Sequence, residues 1–199
     1  MKRKSILIPA FLMMILAQWL LPGKMIWDNE QVLRTGTAYK FKIQPIDPYD
    51  PFRGKYIVLD FEANRFVTPS DQNWNRRDAV HVHLGTDDQG FAKILDLSID
   101  PPSANPDYVQ AEIARIRTRI NSDSSTIRIN YPFHTFYMEE SKAYDAEVYT
   151  RRGRLDSNQV AYALVNVLDG KAVIQDVFIN DTPIREFVLE EKKNEASDF

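Results

Sequence analysis

Apolar and polar positions divide the chain into one long uncharged run and a body in which the two kinds alternate. Lys2-Arg3-Lys4 opens the chain, and residues 5–23 then carry no charge and are rich in Ile, Leu, Met and Phe. As a helix rising ~1.5 Å per residue this run is about 28 Å long, close to the hydrocarbon thickness of a bilayer. A cleaved signal peptide ends in small residues of the Ala-x-Ala kind. Here Ala17-Gln18-Trp19 is followed by Leu20-Leu21-Pro22-Gly23, a poor cleavage site. The run therefore reads as an uncleaved anchor, ahead of a signal peptide or a buried core helix. Trp19 and Trp27 stand where an interfacial belt belongs, and the basic tip keeps the N-terminus in the cytoplasm. The expected organisation is a basic tip and membrane anchor at 1–27, an extracytoplasmic β-rich domain at 28–189 and a polar tail at 190–199.

Within the body, strand signals dominate. Residues 37–44 place Tyr39, Phe41 and Ile43 opposite Lys40, Lys42 and Gln44. Residues 55–63 alternate with Ile57, Leu59 and Phe61 on one face, and residues 79–84 set Val80, Val82 and Leu84 against His81 and His83. Further strands are expected at 91–99, 160–168 and 171–179, the last two joined by Asp169-Gly170, a two-residue step suited to a type I′ turn. Periodicity leaves one segment open. Val109, Ile113, Ile116 and Ile120 fall at helical spacing after a capping Asn105-Pro106-Asp107, yet the same residues can form a strand. Residues 141–152 read as a helix ended by Gly153, with a Glu147–Arg151 pair.

The chain also echoes itself. Gly90-Phe91-Ala92-Lys93-Ile94-Leu95-Asp96-Leu97-Ser98-Ile99 matches Gly170-Lys171-Ala172-Val173-Ile174-Gln175-Asp176-Val177-Phe178-Ile179 at an offset of 80. Pro51-Phe52-Arg53-Gly54-Lys55-Tyr56 matches Pro132-Phe133-His134-Thr135-Phe136-Tyr137 at an offset of 81. Residues 38–104 and 121–181 are the expected repeats, related by a pseudo-twofold axis, with Gly90 and Gly170 in equivalent turns. Ile94 and Leu97 would then lie on opposite strand faces, so either both faces are covered or a bulge intervenes. The expected fold is mainly β with minor α (α+β): two similar strand-rich halves packed together after an N-terminal transmembrane helix.

Composition narrows the chemistry. Residues 1–27 hold four of the 25 bases and none of the 28 acids, so the remainder carries a net charge of −7. That balance argues against nucleic acid as a partner. Cys is absent, which removes disulfides, thiol nucleophiles and thiolate metal sites. There is no Gly-x-Ser-x-Gly elbow and no glycine-rich phosphate loop, and no motif asks for a cofactor.

Gly54-Lys55-Tyr56-Ile57-Val58-Leu59-Asp60-Phe61 resembles the signature of the GDYXXLXY proteins. Tyr131, Phe136, Tyr137 and Glu139-Glu140 are similar to that family's second block, an aromatic pair followed by an acid. The resemblance implies an inner-membrane envelope protein with its body in the periplasm, acting beside a multi-pass membrane protein, and it implies no particular reaction. It also implies a strand over 108–119 turning through 121–125. Lys55 stands where the family has Asp and Phe61 where it has the final Tyr, which weakens a catalytic role for the motif and leaves a structural one. Gly54, Tyr56, Leu59, Tyr137 and Glu139 are therefore read as structural. Asp47, Asp50 and Arg53 form the best polar constellation, a turn clamp or, as the alternative, a small-molecule or cation site. His81 and His83, two apart on one strand face, are weak metal candidates, and Asp60 with Glu62 is a weak acid/base pair. The preferred function is non-enzymatic contact with another membrane protein, ahead of a binding module and of an unrecognised envelope enzyme.

Overall fold

The computed structural model of the protein describes residues 2–44, 56–69, 74–102, 107–118, 123–137 and 160–187. The helix expected over 141–152, the corner carrying Asp47, Asp50, Arg53 and Gly54, Glu139 and the tail at 190–199 lie outside the described residues.

The N-terminal run forms α1 (Lys2–Thr35), a helix of 34 residues long and apolar enough to cross a membrane. Its large apolar side chains from Ile8 to Trp27 face outward, Trp19 by 77%, so the body does not cover them. The helix does not stop near residue 27 as the apolar pattern suggested. Ion pairs one turn apart, Lys24–Asp28 at 3.5 Å and Glu30–Arg34 at 2.8 Å, carry it through the first charged residues. It ends where Gly36 N–H donates to Val32 O at 2.9 Å. Val32 is buried, Asn166 Nδ2 donates to Leu33 O at 3.0 Å, and Lys171 pairs with Asp28 at 2.7 Å. The last turns of α1 are thereby fastened to the body.

The described residues of the body form two five-stranded sheets and one two-stranded sheet. Its strands are β1 (Thr37–Gln44), β2 (Tyr56–Val58), β3 (Asp60–Phe61), β4 (Arg65–Pro69), β5 (Ala79–Thr86) and β6 (Ala92–Ser98). They continue as β7 (Tyr108–Thr118), β8 (Ser124–Asn130), β9 (Thr135–Tyr137), β10 (Ala161–Leu168), β11 (Lys171–Ile179) and β12 (Thr182–Pro183). The first sheet runs β12-β11-β10-β1-β3, the second β4-β8-β7-β5-β6, and β2 pairs with β9 alone. Every mutual strand pairing is antiparallel. Among the described residues one buried cluster joins the sheets, with Phe41, Phe61, Ile113, Ile127 and Ile179 at its centre.

Residues 108–118 are a strand, and their helical spacing has a local cause. The register slips between Ile113 and Arg115, so Val109, Ala111 and Ile113 face the core by strict alternation and a bulge then turns Ile116 inward. A bulge converts a two-residue period into one three-residue step. In β10 alternation fails for another reason. Tyr162 and Asn166 are buried along with Ala163, Val165 and Val167: the end of α1 lies over Asn166, while Phe91, Phe178 and Lys40 pack on the Tyr162 ring.

The two hairpins, β5–β6 and β10–β11, share a set of local devices. Gly90 and Gly170 have φ of 82° and 81°, each the last residue of its loop. In β5–β6, Leu84 faces Ile94 and His83 faces Asp96, leaving Leu95 unpaired. In β10–β11, Val165 faces Ile174 and Leu164 faces Asp176, leaving Gln175 unpaired. Beside each bulge an aspartate accepts from the next backbone N–H at 2.8 Å, Asp96 from Leu97 and Asp176 from Val177. The loop 88–90 has one residue more than Asp169-Gly170, which converts an offset of 81 before the turn into 80 after it. The sheets do not follow the sequence halves, however: β1 pairs with β10, and β7 with β5.

The two glycines differ in surroundings, and this separates their substitutions. A Cβ at Gly90 meets nothing within 4 Å, whereas one at Gly170 falls 2.7 Å from Tyr108 Cε2. Gly90→Ala is expected to cost about 1 kcal/mol from its left-handed φ alone, and Gly170→Ala about 1 kcal/mol more. Denaturant unfolding of both variants, repeated with Tyr108→Ala present, checks this. The excess at Gly170 should vanish when the ring is gone.

Candidate functional site

The motif strand does not run straight. The alternation over 55–63 predicts one strand, but the chain divides at Leu59 into β2 and β3, which pair with different partners, and a 3₁₀ turn follows at Glu62–Asn64. Leu59 N–H donates to His134 O at 2.8 Å, and its side chain is buried. The two blocks noted in the sequence meet in the β2–β9 ribbon, where Tyr56 faces Tyr137, Ile57 faces Phe136 and Val58 faces Thr135. Tyr137 is exposed and Phe136 buried.

An aromatic cluster lies in the buried core. Phe41 packs edge-on against Phe61, Tyr131 and Phe133 with ring centroids 5.3, 5.6 and 5.2 Å apart. Tyr131 stacks on Phe133 at 5.0 Å and donates its hydroxyl proton to Ala63 O at 2.6 Å. Burial pushes its phenol far above the ordinary value, so it stays neutral and serves as a donor. Phe61 lies in the same apolar cluster, where its ring needs no polar partner.

The acids after Leu59 are separated by their partners. Arg128 holds Asp60 at 2.7 Å, Asn64 Nδ2 donates to the other Asp60 oxygen, and Lys42 holds Glu62 at 3.2 Å. Each carboxylate is matched to a cation, which is the arrangement of a structural pair rather than of an acid and a base sharing a substrate. His81 Nδ1 lies 3.0 Å from Ile99 O, and His83 Nε2 lies 2.9 Å from Ser98 Oγ. Among the described residues no third His, Cys, Asp or Glu joins them in a metal-sized group. Asp107 accepts from the Tyr39 hydroxyl at 2.9 Å; burial first, and this carboxylate second, push the phenol up to about 12.

One concentration of like charge among the described residues has no sign readable in the local sequence pattern alone. Arg65 on β4, Arg128 on β8 and Arg115 on β7 are successive cross-strand neighbours, and Arg117 follows on β7 opposite Thr126. All four are exposed and line a depression of about 640 Å³ with Thr118, Ser124 and Thr126. The bulge after Ile113 places Arg115 and Arg117 on this face, since strict alternation would turn them toward the core. The sequence signal was the pair Arg115-x-Arg117 beside Ile127-Arg128-Ile129. It has no meaning until the register of three strands is known.

A family profile described as GDYXXLXY protein matches residues 18–177, most of the chain. The chain belongs to the GDYXXLXY family. No curated protein and no solved structure matches it. In this GDYXXLXY protein the signature supplies β2, the buried Leu59 and β3, so the described part of the motif joins a ribbon, a core contact and a sheet edge.

Proposed function

We propose that this GDYXXLXY protein is a single-pass inner-membrane protein whose body stands in the periplasm and works by contact with another membrane protein. The observation that carries the reading is α1, which runs unbroken from an outward-facing apolar stretch into hydrogen bonds with the body. Apolar side chains along such a helix require lipid or another apolar helix around them. The basic tip with no balancing acid before Asp28 favours an N-terminus in the cytoplasm. Nothing in the described motif residues favours catalysis over architecture.

The absence of Cys makes orientation simple to test. A single Cys replacing Asp88, in the exposed β5–β6 loop, should react with a membrane-impermeant maleimide in cells whose outer membrane alone is permeabilised. Labelling only after lysis of the inner membrane would reverse the orientation. For the partner, the intact chain is cross-linked in membranes and purified, and the same is done with α1 residues 5–23 replaced by an unrelated apolar span. A multi-pass protein captured by the body in both cases supports the contact reading. Recovery of the chain alone in both removes it.

We also read the body as two related halves that exchange their opening strands. The matched turns, bulges and aspartates of the hairpins support this. So do two reciprocal parallel bridges, Lys40 with Phe91 and Val109 with Gly170, by which β1 and β7 each reach the turn of the hairpin they do not pair with. Tyr56 and Tyr137, equivalent at the offset of 81, face each other, as residues beside a twofold axis must. An experimental structure in which β5–β6–β7 and β10–β11–β1 fail to superpose in that register removes the reading.

A further inference from the structure

We infer that the arginine-lined depression on β4, β7 and β8 binds a small soluble polyanion carrying at least two phosphate-type groups. Three adjacent strands place Arg65, Arg128 and Arg115 side by side at a strand spacing of ~4.8 Å, and Arg117 lies two residues along at about 7 Å. Like charges directly opposite one another in a sheet oppose folding. A body with a net charge of −7 has acids enough to neutralise such a row, yet among the described residues only Asp60 reaches it, and Asp60 is bound to Arg128. Arg65, Arg115 and Arg117 make no ion pair or hydrogen bond with the described residues. The bulge that sets Arg115 and Arg117 on this face adds to the pattern, since bulges recur where a side chain must be re-aimed toward a site.

The shape and lining select the ligand class. A depression of about 640 Å³ is the size of a small-molecule site, and its rim of Thr118, Ser124 and Thr126 is polar, the Thr118 hydroxyl being shared with Ser125 at 2.9 Å. Guanidinium forks match tetrahedral oxyanions with paired hydrogen bonds, which a point-charged ammonium does not. From Arg65 to Arg115 is two strand spacings, about 10 Å, too far for one phosphate and suited to two or three in a chain. The same chemistry is present in anionic lipid headgroups. Here the favoured source is the aqueous phase, because α1 packs on β10 and β11 of the first sheet while all four arginines belong to the second.

The test uses the full chain in nanodiscs of zwitterionic lipid, titrated calorimetrically with tripolyphosphate. Saturable binding near one per chain is expected, weakening as salt is raised. The double variant R65Q/R115Q, which removes two exposed side chains with no ion pair to the described residues, should melt no lower than wild type and lose affinity at least about ten-fold. The titration is repeated in discs containing phosphatidylglycerol. Retained binding there supports a soluble ligand, whereas loss of binding together with enrichment of the anionic lipid around wild type but not R65Q/R115Q assigns the site to headgroups and overturns it. No saturable binding below about 1 mM, or equal affinity in wild type and variant, also overturns it.

Discussion

Phe41→Ala is expected to lower the unfolding free energy by about 3–5 kcal/mol, the largest loss anticipated for a single side chain in this body. Phe41 is fully buried and touches three other rings, each edge-on, from β3 and from the segment after β8. Removing the ring deletes its transfer free energy and leaves a cavity whose walls are held by separate strands and have little freedom to collapse. The aromatic geometry adds to the loss, since edge-to-face pairs contribute beyond the area they bury. Phe41→Leu, which keeps most of the volume, should lose less than half as much. Denaturant titration of the full chain in detergent micelles measures both. A loss under about 1 kcal/mol for the alanine variant would mean that this cluster is not the packed centre described here.

The second large effect is expected at Gly36. A Cβ there would lie 2.5 Å from Val32 O and 2.8 Å from Val167 O, both backbone atoms. Neither can rotate away, so Gly36→Ala must lift the end of α1 from β10 or distort one of them. The expected cost is about 3 kcal/mol, toward the upper range for overpacking. The damage should also be local. Hydrogen exchange at Asn166 and Val167 should quicken strongly in the variant, while exchange in β7 and β8, on the other sheet, stays near the wild-type rate. Uniform acceleration across both sheets would place the strain elsewhere.

Legibility in the sequence followed the rule each element obeys. β1 and β5 each bury one face, and their alternation named Phe41, Val80 and Val82 as core without reference to any partner. The turn at Asp169-Gly170 was equally direct, because few residues other than Gly accept its φ. Elements failed to read where a second body intervened. β10 is covered on both faces, so its outward positions carry Tyr162 and Asn166 instead of charge. β7 imitates a helix because a bulge adds one residue to its period, and the bulge is specified by pairing with β8. The division at Leu59 had no local sign at all, since β2 and β3 differ only in the strands they meet. The same holds for the arginines. Arg65 and Arg128 are 63 positions apart in the chain and become neighbours only through the register of β4 on β8.

The unbroken join between α1 and β10 has a mechanical consequence. About twelve helical residues, 24–35, continue past the uncharged run, a shaft of roughly 18 Å at 1.5 Å per residue. Gly36 is wedged between Val32 and Val167, so the shaft meets the body without a hinge. A membrane helix tilts to match its apolar length to the bilayer, commonly by about 20°. Such a lean, pivoting at the bilayer centre, swings a point about 30 Å along the axis by roughly 10 Å sideways. A jointed tether would absorb that motion. With the joint at Gly36 closed, bending is left to Pro22-Gly23 inside α1, so that pair sets how much of such a lean would reach the sheets.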